Sequence, residues 1–225
     1  MTCTRTGTLA AWMLLAAVGA AAAAPAGAPA TAMLGGGRAV RSSSWIERMF
    51  DAAARKGLAA DGMLLLVSVE RQRMLVTDRR GVRAEHRIST SRFGTGSREG
   101  SHKTPLGLHR VADRIGESEP AGRVFVARQP IRRVVPERDW RRPQSSDMIL
   151  TRILRLKGLT PGLNRGDGID SYDRFIYIHG TNQEQMLGRP ASHGCIRMGN
   201  RAVIALYRML HGREAWCCIM ERFPR

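Results

Sequence analysis

Apolar and polar residues fall into short runs of strand length over most of the chain. Residues 63–69 form an apolar run, and Met74-Leu75-Val76-Thr77 forms another. Asp78-Arg79-Arg80-Gly81 then reads as a turn, so 82–89 is predicted to pair back as a hairpin. Leu108-His109-Arg110-Val111, 148–156, 175–179 and 215–220 predict further strands. Helical spacing occurs twice. Trp45, Met49, Ala52 and Ala53 predict a short helix over 45–56, with Ser42-Ser43-Ser44 as its cap and Gly57 at its end. Val203, Ile204, Tyr207 and Leu210 form an apolar stripe over 200–210, with Asn200 as the expected cap and Gly212 closing the helix. The Gly-rich stretch 91–103 reads as a loop, and the Arg- and Pro-rich stretch 127–146 as an irregular surface excursion. The pattern predicts a mainly β domain with a few short helices, and it contains no internal repeat.

The ends carry a different signal. Arg5 precedes an apolar run over 9–24, followed by Pro-Ala-Gly-Ala-Pro-Ala-Thr-Ala. A positive start, an apolar middle and small residues at the end make up a secretory signal. Ala30-Thr31-Ala32 is the preferred cleavage site, because Pro25 follows the alternative at 22–24. The expected organisation is a signal peptide over 1–32, a linker and short helix over 33–60, and the main domain over 61–225. The expected location is the periplasm or cell envelope, with a membrane contact only if the apolar segment stays uncleaved. Cys3 precedes that segment and is not placed for lipid modification.

Composition changes the picture in two respects. The formal charge is +17, and nearly all the excess is Arg, since Lys occurs only at 56, 103 and 157. A basic surface favours anionic partners. The arginines are scattered and no nucleic-acid motif is present, so nucleic acid is not an expected partner. A monomer is expected. After export three cysteines remain, Cys195, Cys217 and Cys218, and an odd number in an oxidising compartment flags a free thiol. The adjacent pair reads as strand residues facing opposite sides, one of them buried.

The chemistry concentrates in 177–198. Period two places His179 on the strand face opposite Ile176 and Ile178, at the predicted strand end, where Gly180 would let the chain turn. Cys195 follows Gly194 in Ser192-His193-Gly194-Cys195, a stretch too tight for regular structure. A thiol is a strong nucleophile only as thiolate, and a nearby imidazole can take its proton and later return it to a leaving amine. Backbone N–H groups of a Gly-containing turn can hold an oxyanion. A zinc site from His179, His193 and Cys195 is the rival, but a fourth ligand with convincing spacing is absent. No metal and no cofactor are expected.

His179-Gly180-Thr181, a loop, and then Ser192-His193-Gly194-Cys195-Ile196-Arg197-Met198 resemble the signature of the L,D-transpeptidase family (YkuD-type catalytic domain). Upstream, Ile88-Ser89-Thr90 and Lys103-Thr104-Pro105-Leu106-Gly107 resemble its earlier strand and Thr-Pro-x-Gly segment, so the likeness runs over 63–210. The resemblance implies a β-sandwich-like fold, Cys195 as nucleophile and His179 as the residue that activates it. It further implies that the Gly180 carbonyl orients the imidazole, and that His193 and Gly194 line the site. The Gly194 and Cys195 N–H groups would then face an oxyanion, and Ser192 would brace His193. Arg197 fits either a substrate carboxylate or a salt bridge that fixes the loop. The implied partners are peptidoglycan stem peptides, and the implied reaction is a 3→3 cross-link through a thioester. An L,D-carboxypeptidase or a lipoprotein-releasing hydrolase on the same site is the alternative, and a non-catalytic wall-binding protein is a third reading. The stretches 182–191 and 128–142 are candidate walls of an acceptor groove. The chain departs from the family pattern at Gly199-Asn200-Arg201-Ala202, where members often carry an acidic residue, and at Gly212-Arg213-Glu214-Ala215, in place of a Gly-Thr-Pro-Val strand.

Overall fold

The computed structural model describes residues 44–142 and 146–224. The predicted signal segment, the Gly-rich linker, Cys3 and the capping Ser42 and Ser43 lie outside the described residues. Helix α1 covers Ser44–Arg55, and β1 (Met63–Ser68), β2 (Arg73–Asp78) and β3 (Gly81–Ser89) follow as a meander. Next come β4 (Gly107–Ile115), β5 (Arg123–Val126), β6 (Gln129–Val134) and a short 3-10 turn at Glu137–Asp139. β7 (Ile149–Gly158), β8 (Tyr177–Thr181) and β9 (Ile196–Met198) lead to helix α2 (Asn200–Met209) and β10 (Ala215–Met220). No described helix is long and apolar enough to cross a membrane.

The strands form one sheet in the order β4-β10-β1-β2-β3-β9-β8-β7-β5-β6, and β4 also pairs with β7. The sheet therefore closes on itself, which gives the expected sandwich its two facing layers and removes most free edges. β7 makes closure possible by its length: one edge takes β5 at Ile149 and Leu150, and β4 from Ile153 to Gly158. Inside the closed sheet, period two points Leu65 and Val67 of β1, Val76 of β2, Ile178 of β8, Ile196 and Met198 of β9, and Cys217 of β10 into one core. The face of α2 carrying Val203, Leu206, Tyr207 and Leu210 fills the same core.

The outer face of β1 and β10 is also dry. There α1 lays Ile46, Phe50 and Ala53 on Leu64, Leu66, Trp216 and Cys218. The α1 stripe is thus offset from the expected one, and Trp45 and Met49 are only partly buried. Cys217 and Cys218 do face opposite sides, but both are buried, because α1 covers what would have been the solvent face.

Two local expectations are corrected. The stretch 127–146 is not wholly irregular: β5 and β6 form a hairpin with Ala127 and Arg128 at its tip, both at positive φ (+47° and +69°). Asn200 is not a side-chain cap. It opens α2 after Gly199, and its side chain is a buried polar hub. Its Nδ2 donates to the Thr181 carbonyl at 2.7 Å and to Glu184 Oε1 at 2.9 Å, and its Oδ1 accepts from Thr151 Oγ1 at 2.6 Å. The Glu184 carboxylate takes the Asn200 backbone N–H at 2.6 Å, so an acid from a preceding loop serves the helix N-terminus.

Candidate active site

β8 and β9 run parallel, with Ile178 opposite Ile196, His179 opposite Arg197 and Gly180 opposite Met198. Alternation sends the isoleucines inward. It leaves Tyr177, His179 and Arg197 on the other face, where Cys195, in the bend just before β9, packs against the Tyr177 cluster. The chemistry therefore sits outside the closed core, beneath the β5–β6 hairpin, where Phe125, Ile153 and Tyr177 pack with Cys195.

His179 is buried inside β8 rather than placed at its end, since the strand continues to Thr181. Its Nδ1 lies 2.7 Å from the Gly180 carbonyl. A carbonyl can only accept, so Nδ1 carries the proton and Nε2 is left as the basic nitrogen. Burial lowers the His179 pKa, and the Asp147 carboxylate and the Gly180 carbonyl partly offset that. Gly180 does not serve as a turn residue. A Cβ there would lie 2.4 Å from Asn200 Oδ1 and 2.7 Å from the Leu150 carbonyl, so close approach of backbone and hub requires glycine.

The Cys195 thiol is half-buried and donates to the Phe175 carbonyl at 3.4 Å. Desolvation pushes its pKa up to about 11, against the pull of the Tyr177 amide and the Arg197 and Arg174 guanidiniums. The two shifts, His179 down and Cys195 up, both favour the neutral forms.

The turn before Cys195 is held from two sides. Ser192 Oγ donates to the Cys195 carbonyl at 2.6 Å and accepts the Gly194 N–H at 3.2 Å. Ser192 thus braces the Cys195 turn rather than His193. It also uses up the Gly194 N–H, which leaves the Cys195 N–H as the amide of the expected pair not engaged within the turn. Gly194 adopts φ +125°, a region closed to most side chains. From the other side, buried Thr104 donates its Oγ1 to the Gly194 carbonyl at 2.9 Å and accepts the Ser91 N–H at 3.0 Å. The Thr104-Pro105 segment is therefore a strut for the Cys195 turn, though Thr104 and Gly194 lie 90 residues apart.

Arg197 is buried, at 1% exposure. One terminal nitrogen bonds Asp147 and the other donates to Gln183 Oε1 at 3.0 Å. Its Nε has no hydrogen-bond partner among the described residues. Of the two roles open to it, this geometry matches the salt bridge that fixes the loop. His193 is exposed: its Nδ1 lies 3.5 Å from Asp147, its Nε2 touches Arg92, and its ring lies 5.8 Å from that of Phe93. Asp147 links Arg197 to His193 and bears on His179, yet a lone Asp after Gln144-Ser145-Ser146 gives no sequence signal. Among the described residues no group of three or more His, Cys, Asp or Glu side chains gathers to hold a metal ion.

A closed β domain that sets a tautomer-locked histidine and a turn-borne cysteine on one strand face defines the class of protein. The chain belongs to the L,D-transpeptidase (YkuD) catalytic-domain family, whose model matches residues 62–214. Similar solved structures include an L,D-transpeptidase from Mycobacterium smegmatis, at 14% identity and TM-score 0.41, covering 70% of this chain and 58% of that one. Another is an L,D-transpeptidase from Xylanimonas cellulosilytica, at 16% identity and TM-score 0.38, covering 76% and 68%. A third is the catalytic domain of the E. faecium L,D-transpeptidase, at 15% identity and TM-score 0.39, covering 71% and 98%. The chain thus spans 58% of the length of the mycobacterial structure. No curated protein sequence matches it.

Proposed function

We propose that the chain is an exported peptidoglycan L,D-transpeptidase that forms 3→3 cross-links through a thioester on Cys195. Family membership supports the broad reading. The observation that carries the mechanism is the His179–Gly180 bond, which leaves Nε2 basic on the face that holds the Cys195 thiol. Imidazole Nε2 takes the thiol proton as sulfur attacks the carbonyl of the third stem residue, a diamino acid. The Cys195 N–H stabilises the oxyanion. Collapse breaks the peptide bond, and D-alanine leaves with the proton returned from the imidazolium. A side-chain amine of a second stem then attacks the thioester. Its proton passes through His179 to the departing sulfur, which regenerates the thiol.

A thioester meets an amine rather than water only if the acceptor is held close. The loop over 182–191 and the stretch 128–142 serve in this reading as walls for that acceptor. The basic surface holds the enzyme against an acidic wall polymer, where acceptor stems are dense. Purified tetrapeptide muropeptides, incubated with the enzyme and analysed by mass, test the reading. The expected products are dimers joined through two diamino acid residues, with released D-alanine. Tripeptide monomers alone, across salt and substrate concentrations, would replace transfer by hydrolysis.

A further inference from the structure

We infer that Arg128, at the tip of the β5–β6 hairpin, binds a carboxylate of the donor stem peptide and sets which stems the enzyme accepts. This rests on the proposed transpeptidase reading and adds a recognition residue to it. Other arginines near the site are engaged, Arg92 with the His193 ring and the face of Phe93. Arg197 is bonded to Asp147, Arg155 lies 3.5 Å from Asp113, and Arg123 is bonded to Glu119 at 2.6 Å. Arg174 spends its donors on the carbonyls of Lys103 and Gly96. Arg128 has no carboxylate within ion-pair distance among the described residues. Its contacts are the Tyr177 hydroxyl at 3.5 Å and the face of Phe175, 4.9 Å from its guanidinium carbon.

Both contacts lead directly to the nucleophile. The Tyr177 ring packs in the cluster that holds Cys195, and the Phe175 carbonyl is the acceptor of the Cys195 thiol. The backbone on each side is in a region uncommon for residues with side chains: Ala127 and Arg128 on the hairpin tip, and Phe175 at φ +56°. The Phe175 ring is 48% exposed although it is large and apolar. Strained residues, a solvent-facing aromatic and a guanidinium without a carboxylate partner among the described residues thus meet beside one thiol. A planar fork of donors over an aromatic face is suited to a carboxylate.

A stem peptide can offer that carboxylate from two places: the terminal D-alanine, or the side chain of the third residue if that residue is a diamino diacid. Three tetrapeptide stems separate them: one with both groups free, one with a C-terminal carboxamide, and one with the third side chain amidated. In the wild type, amidating the recognised group lowers kcat/KM about 10- to 100-fold, the span expected for loss of a charge-assisted hydrogen bond. Arg128→Gln lowers turnover of the free stem by a similar factor and is indifferent to amidation of that one group. Arg128→Lys recovers part of the loss. Calorimetric binding of the same three peptides to the Cys195→Ala protein reads recognition without turnover. A wild type that binds them with this pattern yet releases no D-alanine would sink the transpeptidase reading and keep this one. Equal loss on all three stems in Arg128→Gln, no loss, or no peptide binding would overturn the assignment.

Discussion

Raising the pH from 7 to 10 is expected to speed alkylation of Cys195 by about tenfold per unit. The magnitude follows from the surroundings of the thiol. Burial outweighs the two nearby guanidiniums and the Tyr177 amide, and lifts the pKa to about 11. The thiolate fraction is then about 1 in 10,000 at pH 7 and about 1 in 10 at pH 10, and alkylation follows the thiolate. His179 works in the same direction, because burial lowers its own pKa and so disfavours holding the proton. The thiol bonds the Phe175 carbonyl, an acceptor that favours the protonated form. Timed iodoacetamide reactions followed by intact mass give the rate at each pH. Cys217 and Cys218 are buried, and burial lifts both of their pKa values, so a single adduct is expected on protein prepared without residues 1–32, which carry Cys3. His179→Ala should leave this slope in place while lowering stem acylation by ~10²–10⁴-fold, as loss of a general base does. A rate that is flat from pH 6 to 9 would refute the reasoning, because it would mean a thiolate–imidazolium pair exists before substrate arrives.

Thr104→Val keeps the shape of the side chain and removes both bonds of the strut. It should cost about 1–3 kcal/mol in chemical denaturation, from the unpaired Ser91 N–H and Gly194 carbonyl, and slow acylation of Cys195; unchanged stability would mean the turn holds itself. His109 is fully buried, with its ring nitrogens 3.0 Å from the Gly107 carbonyl and Ser171 Oγ, and burial brings its pKa from 6.5 down to about 4. Because the folded value is the lower one, the unfolded chain binds the extra proton, and stability falls as the pH drops from 6.5 towards 4. The loss from this group is about 2 kcal/mol between pH 7 and pH 5. Urea titrations of wild type and His109→Asn at both pH values should differ in pH dependence by that amount, and parallel curves would contradict it.

The proposed pair, His179 and Cys195, is legible because its chemistry is compressed into one segment. His179-Gly180 and Ser192-His193-Gly194-Cys195 fall on adjacent strands, so sequence proximity and spatial proximity coincide. What surrounds the pair was less legible, because it arrives from far away or for unexpected reasons. Thr104 reads as part of a turn motif, and only the folded chain brings it under the Gly194 carbonyl. Gly180 reads as a turn signal, whereas its missing Cβ makes room for Asn200. β6 carries no alternation, because all its residues are exposed, so nothing in Gln129-Pro130-Ile131-Arg132-Arg133-Val134 marks a strand. α1 gave the right helix with a stripe one residue out, since both registers of its sequence offer apolar residues.

Acylation by a carbapenem tests the central claim most directly, because its strained lactam carbonyl traps the nucleophile as a stable adduct. Wild type and Cys195→Ala are each incubated with the compound and weighed intact, then digested to locate the adduct. Thermal unfolding confirms that the variant is folded. One adduct, on Cys195 in the wild type and missing from the folded variant, is the predicted result. An adduct that persists in Cys195→Ala, or that maps to Cys217 or Cys218, would contradict it.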